Sequence, residues 1–499
     1  MAAAASDRLS DLPDDLLIHI LSSLFSHEAA RTTSLSRRWR RQLWRDTATA
    51  NLDYRSCRGA GNALHSLRSG GRVIKKFTVT MPDWEWGNPH WVMSSAFEDG
   101  VEEARIEWQD GGCPHYTFAA PSPWSPCYDL NLSLDSLTRV RVLDLTGCNL
   151  GRTHPAPPPG QHVVVVVFPC LEALRLRRCA VELDTLQAMV DAAPKLSDLC
   201  LESLGFLRDI TSSVDHRMPF RLSCPAVAVL VMVNLHVLNS TGTSDIGDCR
   251  VEVDAPHLRR LHYAQSMSSD DTAFSFVSPT PRLEHVHLAT QSKGMAPLRR
   301  SMLAPVVSHL RFLKLTAYSI PDLARDHLPV FPSLQRLEIE ELCGWCNNND
   351  NYVAAAATTV VCLLYSCPAA RELRLKFSWL DYLHETVSDP TIQTAAIADF
   401  KPCRCDDNND EDYSCFDVHL GLPRFMHDRI SNCSLRRVVV EFDMGELTCL
   451  QVWLIRFLVQ NVMGLKEMVV EGDEGYDSSW IDWKVACWRY NKGSSAAEQ

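Results

Sequence analysis

The feature that most constrains this chain is a short pattern, apolar-x-x-apolar-x-apolar, that keeps returning between residues 74 and 470. It appears as Ile74/Phe77/Val79, Val101/Ala104/Ile106 and Val140/Leu143/Leu145. The clearest copies follow at Leu171/Leu174/Leu176, Leu196/Leu199/Leu201 and Val227/Leu230/Met232. Next come Leu258/Leu261/Tyr263, Leu283/Val286/Leu288, Leu310/Leu313/Leu315 and Leu334/Leu337/Ile339, with late copies at Ala370/Leu373/Leu375, Leu435/Val438/Val440 and Leu465/Met468/Val470. Through the middle, successive copies start 31, 25, 31, 31, 25, 27 and 24 residues apart, each step close to one supersecondary unit.

Alternation at the second and third apolar positions describes a strand whose inward side chains face a shared core. Helical stretches between copies can cover the other side, as at Leu183-Asp-Thr-Leu186-Gln-Ala-Met189-Val190 and Val353 to Leu364. Several copies are introduced by a proline, among them Pro169, Pro194, Pro225, Pro256, Pro332 and Pro368. A proline there ends the preceding helix and starts an extended segment. No single unit buries its apolar face, but a stack does. The expected class is therefore α/β, with a curved solenoid carrying a parallel sheet; a scatter of unrelated α/β units is the alternative.

Before the repeats lies a different packet. Pro13 suits a first helical position, and Asp14 and Asp15 complement the positive end of a helix dipole. Leu16, Leu17, Ile20, Leu21 and Leu24 recur at helical spacing. Ser26 and Ser36 are candidate N-caps for a second and a third helix, the third carrying Trp39 and Leu43. So small a packet is marginal alone, and its apolar face calls for a partner.

The run Leu12-Pro13-Asp14-Asp15-Leu16-Leu17, followed by Ala30-Arg31-Thr32-Thr33 and Leu35-Ser36-Arg37-Arg38-Trp39, resembles the F-box in its plant version. Asn51-Leu52-Asp53-Tyr54 is similar to that family's exit into the next domain, whereas Trp39 and Leu43-Trp44 stand one residue further apart than usual. The resemblance implies docking on the Skp-type adaptor of a cullin–RING ubiquitin ligase. It assigns the adaptor-facing apolar patch to Leu12, Pro13, Leu16, Leu17, Ile20, Leu21 and Leu35, with Trp39 bracing the third helix. Otherwise, Leu12 to Trp39 is a helical cap on the domain that follows.

The repeats themselves resemble the irregular leucine-rich repeats of plant F-box proteins. Cys148 and Cys179 stand where family members carry Asn or Cys, but most other copies lack such a residue, so no regular polar ladder is expected. From about Cys433, a strand at Leu435–Phe442, a helix with Leu447, Leu450, Leu454, Phe457, Leu458 and Val462, and a strand at Leu465–Val470 are similar to the C-terminal FBD module of such proteins. That order would close the open sheet edge. Three interruptions read as loops: the proline-rich 153–160, the asparagine-rich 347–351, and the segment near 380–430 with its acidic run Asp406 to Asp412. The expected organisation is an F-box over 1–55, repeats over 56–430, an FBD-like cap over 431–490 and a disordered tail over 491–499.

Composition narrows the chemistry. A net charge of −12 argues against a general nucleic-acid surface. The six arginines between Arg31 and Arg45 read as a solvated helix face or, alternatively, an import signal. The opening Met1 to Arg8 lacks the basic-then-apolar order of a secretion signal, and the most apolar run, Val163 to Phe168, is too short to span a bilayer. With no membrane or secretion route expected, the 19 cysteines read as reduced thiols of the cytoplasm and/or nucleus. Cys343-Gly344-Trp345-Cys346 has redox and zinc spacing but enters an asparagine loop and lacks a second pair. Cys403, Cys405 and Cys415 could hold a metal only adventitiously. Trp84, Trp86 and Trp91 read as core aromatics rather than a stacking site. No phosphate loop, metalloprotease, nucleophile-elbow or kinase motif is present; no catalytic residue, metal or cofactor is expected. The chain is thus expected to be a non-catalytic substrate adaptor of an SCF-type ligase that holds an unidentified target protein on its repeats. The alternative is a non-degradative scaffold or a small-ligand sensor.

Overall fold

The computed structural model describes residues 12–43, 46–52, 74–82, 100–109, 128–129, 138–150, 168–207, 220–238, 251–265, 274–290, 306–317, 320, 323, 329–341, 350–378, 434–442, 449–472 and 478–497. Two compact units are present, residues 1–216 with 222–247, and residues 217–221 with 248–499.

In the first unit, helices α1 (Asp14–Ser23) and α2 (Ser26–Thr32) and a π-helical turn (Trp39–Leu43) precede a parallel sheet. Its strands are β1 (Thr49–Leu52), β2 (Lys76–Pro82), β3 (Glu103–Gln109), β4 (Val142–Thr146), β5 (Ala173–Arg177), β6 (Asp198–Glu202) and β7 (Val229–Val233), hydrogen-bonded in that order. The register is the one the apolar pattern demands. Phe77 stands opposite Ala104, then come Leu143, Leu174, Leu199 and Leu230 on one continuous rung. Val79, Ile106, Leu145, Leu176, Leu201 and Met232 form a second. All twelve side chains are buried.

Behind β4 to β7 the backbone makes the same corner four times. Gly147, Arg178, Ser203 and Asn234 adopt φ of 75°, 49°, 51° and 50°, a left-handed conformation that disfavours any residue with a Cβ. The corner turns each chain into a second, short parallel sheet at Cys148–Asn149, Ala180–Glu182, Gly205–Leu207 and His236–Leu238. Cys179 Sγ donates towards the carbonyls of Leu145 and Arg177 at 3.4 and 3.3 Å, tying one repeat to its predecessor. The equivalent positions Leu204 and Leu235 are buried leucines, so the polar link is confined to the cysteines. Helix α3 (Leu183–Asp191) turns Leu186, Met189 and Val190 inward.

The second unit repeats the main scheme with β8 (Arg260–Gln265), β9 (His285–Thr290), β10 (Phe312–Ala317), β11 (Arg336–Glu341), β12 (Glu372–Phe377), β13 (Arg437–Phe442) and β14 (Glu467–Glu471). Leu261, Val286, Leu313, Leu337, Leu373, Val438 and Met468 share a rung; at its far end Met468 is only half-buried. Helix α4 (Asp350–Ser366) enters between β11 and β12, so Asp350 and Asn351 of the expected asparagine loop are already helical. Helix α5 (Cys449–Asn461) buries Val452, Leu454, Ile455, Phe457, Leu458 and Val459, apolar nearly all round as a covered helix must be.

Helix α6 (Ser479–Ala497) packs on α5 and corrects the expected disordered tail, since residues 491–497 are helical. Ile481, Val485 and Trp488 are buried and anchor its first turns; once nucleated, each added residue gains a bond without a new nucleus. The loops 153–160 and 380–430, Leu447, both CxxC cysteines, Cys403, Cys405, Cys415 and the tryptophans 84, 86 and 91 lie outside the described residues.

The left-handed corner gives a direct test. Ser203→Val should destabilise the first unit by about 1–2 kcal/mol, because a β-branched residue resists positive φ, while Ser203→Gly should leave its stability near wild type. Leu174→Ala, on a fully buried rung position, should cost about 2–5 kcal/mol. Urea unfolding followed by circular dichroism reads all three.

Candidate functional site

The N-terminal packet is built around Leu17, Leu21, Ala29, Trp39 and Leu43, with Leu12, Ile18 and Leu24 against them. Pro13 is the residue capping α1 rather than its first helical residue: its carbonyl accepts from the Leu17 amide at 3.2 Å. Arg38 returns to this helix start. Its Nε donates to Asp14 Oδ1 at 2.8 Å and its Nη2 to the Leu12 carbonyl at 2.9 Å, with a further contact from Nη2 to Asp14. Ser36 Oγ accepts from the Trp39 amide at 3.4 Å, as its capping role requires. Ser26 acts differently from expectation. It is the first residue of α2, and its Oγ accepts from the Asn51 amide at 3.0 Å. Asn51 Nδ2 also donates to the Ser22 and Leu24 carbonyls at 2.8 and 3.0 Å, satisfying the end of α1 from strand β1.

The third helix carries a π-helical turn over Trp39–Leu43, a rare geometry that occurs mostly as a single turn. Both ends of that turn stay inside, Trp39 at 4 % and Leu43 at 0 % exposure.

Of the eight residues assigned to the adaptor face, the structure separates two sets. Leu16 is 51 % exposed, Ile20 38 % and Leu35 64 %; Pro13 is exposed as well and Leu12 half-buried. Leu17 and Leu21, expected on that face, are instead buried, as is the bracing Trp39. One helical position apart means about 100° of rotation, so the Leu16/Ile20 stripe points out where the Leu17/Leu21 stripe points in. Sequence reasoning missed Phe25, exposed at 40 % and stacked beside His27 with ring centroids 6.1 Å apart. It follows Leu24 immediately, so the end of the α1 apolar run was the available signal.

A second constellation lies on the outward side of the second unit's sheet. Glu340 on β11 meets Lys314 Nζ at 2.8 Å and Lys376 Nζ at 3.1 Å. It also accepts from Thr316 Oγ1 at 3.1 Å and Ser378 Oγ at 3.2 Å. Thr316 Oγ1 is 3.1 Å from His287 Nε2, and the His262 and His287 rings stack at 4.1 Å. Burial alone would push the Glu340 carboxyl up, but hydrogen bonds and charge from Lys314 and Lys376 prevail and hold it at about 2. Burial, aided by His262 and Lys314, pushes the His287 imidazole down to about 3. Every partner is internal, so this is a structural ion network. Among the described residues no group of three or more His, Cys, Asp or Glu could hold a metal ion, and no helix is long and apolar enough to cross a membrane.

A helical packet clamped to the first strand of stacked parallel-sheet repeats fits an F-box followed by leucine-rich repeats. Comparison with known proteins agrees: residues 9–46 match the F-box domain, and residues 117–285 match the leucine-rich repeats of FBD-associated F-box protein At5g56370. The chain is 24 % identical over 270 residues to an Arabidopsis thaliana F-box/FBD/LRR-repeat protein, At5g44950, covering 52 % of this chain and 54 % of that one. It is 23 % identical over 406 residues to another, At5g56810, covering 77 % and 79 %. Over 55 residues it is 53 % identical to the meiotic F-box protein MOF of Oryza sativa subsp. japonica, 11 % of each chain. The match thus spans about half the length of At5g44950.

The ion network predicts an acid-sensitive second unit. The folded pKa of both His287 and Glu340 lies below the ordinary value, 6.5 and 4.5 respectively, so the unfolded chain binds more protons. The His287 contribution is complete above pH about 6.5 and is lost as pH falls towards about 3; that of Glu340 is lost from about 4.5 towards about 2. His287→Gln should therefore flatten the Tm–pH curve between pH about 6.5 and 3 while leaving its shape above pH 7 unchanged.

Proposed function

We propose that this protein is a non-catalytic substrate adaptor of an SCF-type ubiquitin ligase, with the N-terminal packet docking on a Skp-type adaptor and the repeats presenting a target protein. The observation that carries the reading is α1. Its inner stripe is consumed by the packet core, yet Leu16 and Ile20, with Leu35 and Phe25, stay exposed on the same small packet. A helix that is apolar on two sides is one built to be covered twice. The F-box match supports a Skp-type adaptor as the cover, with a helix-in-groove contact as its physical form.

On this reading Leu12, Pro13, Leu16, Ile20 and Leu35 meet the adaptor directly. Leu17, Leu21 and Trp39 act from beneath, by holding that stripe in place. Ubiquitin transfer is done by the RING-bound conjugating enzyme, and this chain contributes proximity, raising the effective concentration of target lysines. The proposal extends to the strand–helix–strand segment from Leu435 as a closing FBD-like cap, and to a cytoplasmic and/or nuclear setting in which the cysteines stay reduced.

The test is co-purification of the whole chain with a Skp-type adaptor. Wild type should be captured. Leu16→Glu/Ile20→Glu and Leu12→Ala/Pro13→Ala should each lose about 2 kcal/mol or more of binding, with Tm unchanged for the first pair because both residues are exposed. Equal capture of wild type and the glutamate variant would sink the proposed face, and no capture of wild type would sink the adaptor reading.

A further inference from the structure

The residue just before each strand occupies a rung of its own, and that rung differs between the two units. In the first unit it runs Lys75, Glu102, Arg141, Glu172, joined in order by backbone bonds of 2.9, 2.6 and 2.8 Å. Signs alternate, and neighbours neutralise one another. Lys75 Nζ is 3.2 Å from Glu102, and Arg141 grips Glu172 with Nε and Nη2 at 3.1 and 2.8 Å.

In the second unit the same rung runs Arg259, Glu284, Arg311, Gln335, Arg371, Arg436, Lys466, again in backbone-bonded order. The last three are cations on three adjacent strands, and all are exposed. Among the described residues none of the three has an ion-pair partner. The facing charges on the next rung are already engaged: Arg437 lies 3.9 Å from Glu372 and 3.3 Å from Glu467, and Arg336 lies 3.7 Å from Glu372. Like charges side by side on neighbouring strands are destabilising. In a chain of net charge −12, this row is, among the described residues, a local reversal of sign without an ion-pair partner.

We infer that Arg371, Arg436 and Lys466 form a docking row for an acidic segment of the target protein, an inference that rests on the substrate-adaptor reading above. Adjacent strands are about 4.8 Å apart, and residues at i and i+4 on a helix are about 5–6 Å apart. A helix face with glutamates at i, i+4 and i+8 therefore matches the row charge for charge. A polynucleotide fits less well, because its continuous phosphates would also meet Glu372 and Glu467 on the adjoining rung.

The experiment uses the purified full chain and a labelled alanine-rich peptide carrying glutamates at i, i+4 and i+8. A glutamine counterpart and a single-stranded oligonucleotide serve as competing probes. Fluorescence anisotropy should show the glutamate peptide binding, weakening as salt rises, and losing about tenfold in affinity in Arg371→Glu/Arg436→Glu/Lys466→Glu, three exposed pairs each being individually weak. The milder Arg371→Gln/Arg436→Gln/Lys466→Gln should fall between, which guards against a folding defect in the reversed variant. Equal binding of the glutamate peptide by wild type and both variants overturns the inference, as does equal binding of the glutamine peptide or tighter binding of the oligonucleotide. Adaptor capture is read separately on the same samples: it should be unchanged in both variants, and its absence in wild type defeats the adaptor reading without touching the peptide result.

Discussion

Everything in this molecule depends on parallel register. Once Leu174 pairs with Leu143 and Leu199, each strand must present its apolar residues at the same height, and two buried rungs run unbroken from strand to strand. A shift of one residue would turn every inward side chain outward. Register also decides the fate of charge. It sets Lys75 beside Glu102 and Arg141 beside Glu172, and it equally sets Arg371, Arg436 and Lys466 beside one another. The same geometry thus yields paired charges in one unit and, among the described residues, a row of cations without ion-pair partners in the other.

The packet at the start obeys a different logic. It has too few residues to close a core alone: Arg38 folds back on the start of α1 from within, and closure is borrowed from β1 through Asn51. Its π-helical turn keeps both Trp39 and Leu43 inside. What remains uncovered is a stripe of α1 and the turn bearing Leu35, and that remainder is where a function can attach.

Much of this was legible in the amino-acid order because burial follows period. The thirteen apolar triplets mark the strands, since a two-residue alternation has one structural meaning. The helical packet was equally readable from Pro13, the paired aspartates and the leucine spacing. The inner and outer stripes of α1 were not separable, because Leu16 and Leu17 are chemically alike and only the placement of Ala29 and Trp39 decides which one is inside. The helix over 491–497 was hidden by its small polar residues, whose conformation is inherited from the anchored turns before them. Nor does any local signal announce the Glu340 network or the cationic row. Both arise from residues about 25 to 65 positions apart that only the register makes neighbours.

The clamp at Asn51 has a mechanical consequence. Its amide and side chain hold the end of α1 and the start of α2 by three hydrogen bonds, and the next residue is already a buried rung of the sheet. These bonds tie the described part of the helices directly to the first strand. A protein gripped through α1 therefore grips the first repeats at a set angle, as a wrench grips a bolt, and any torque on the helices passes directly into the strand ladder of that unit.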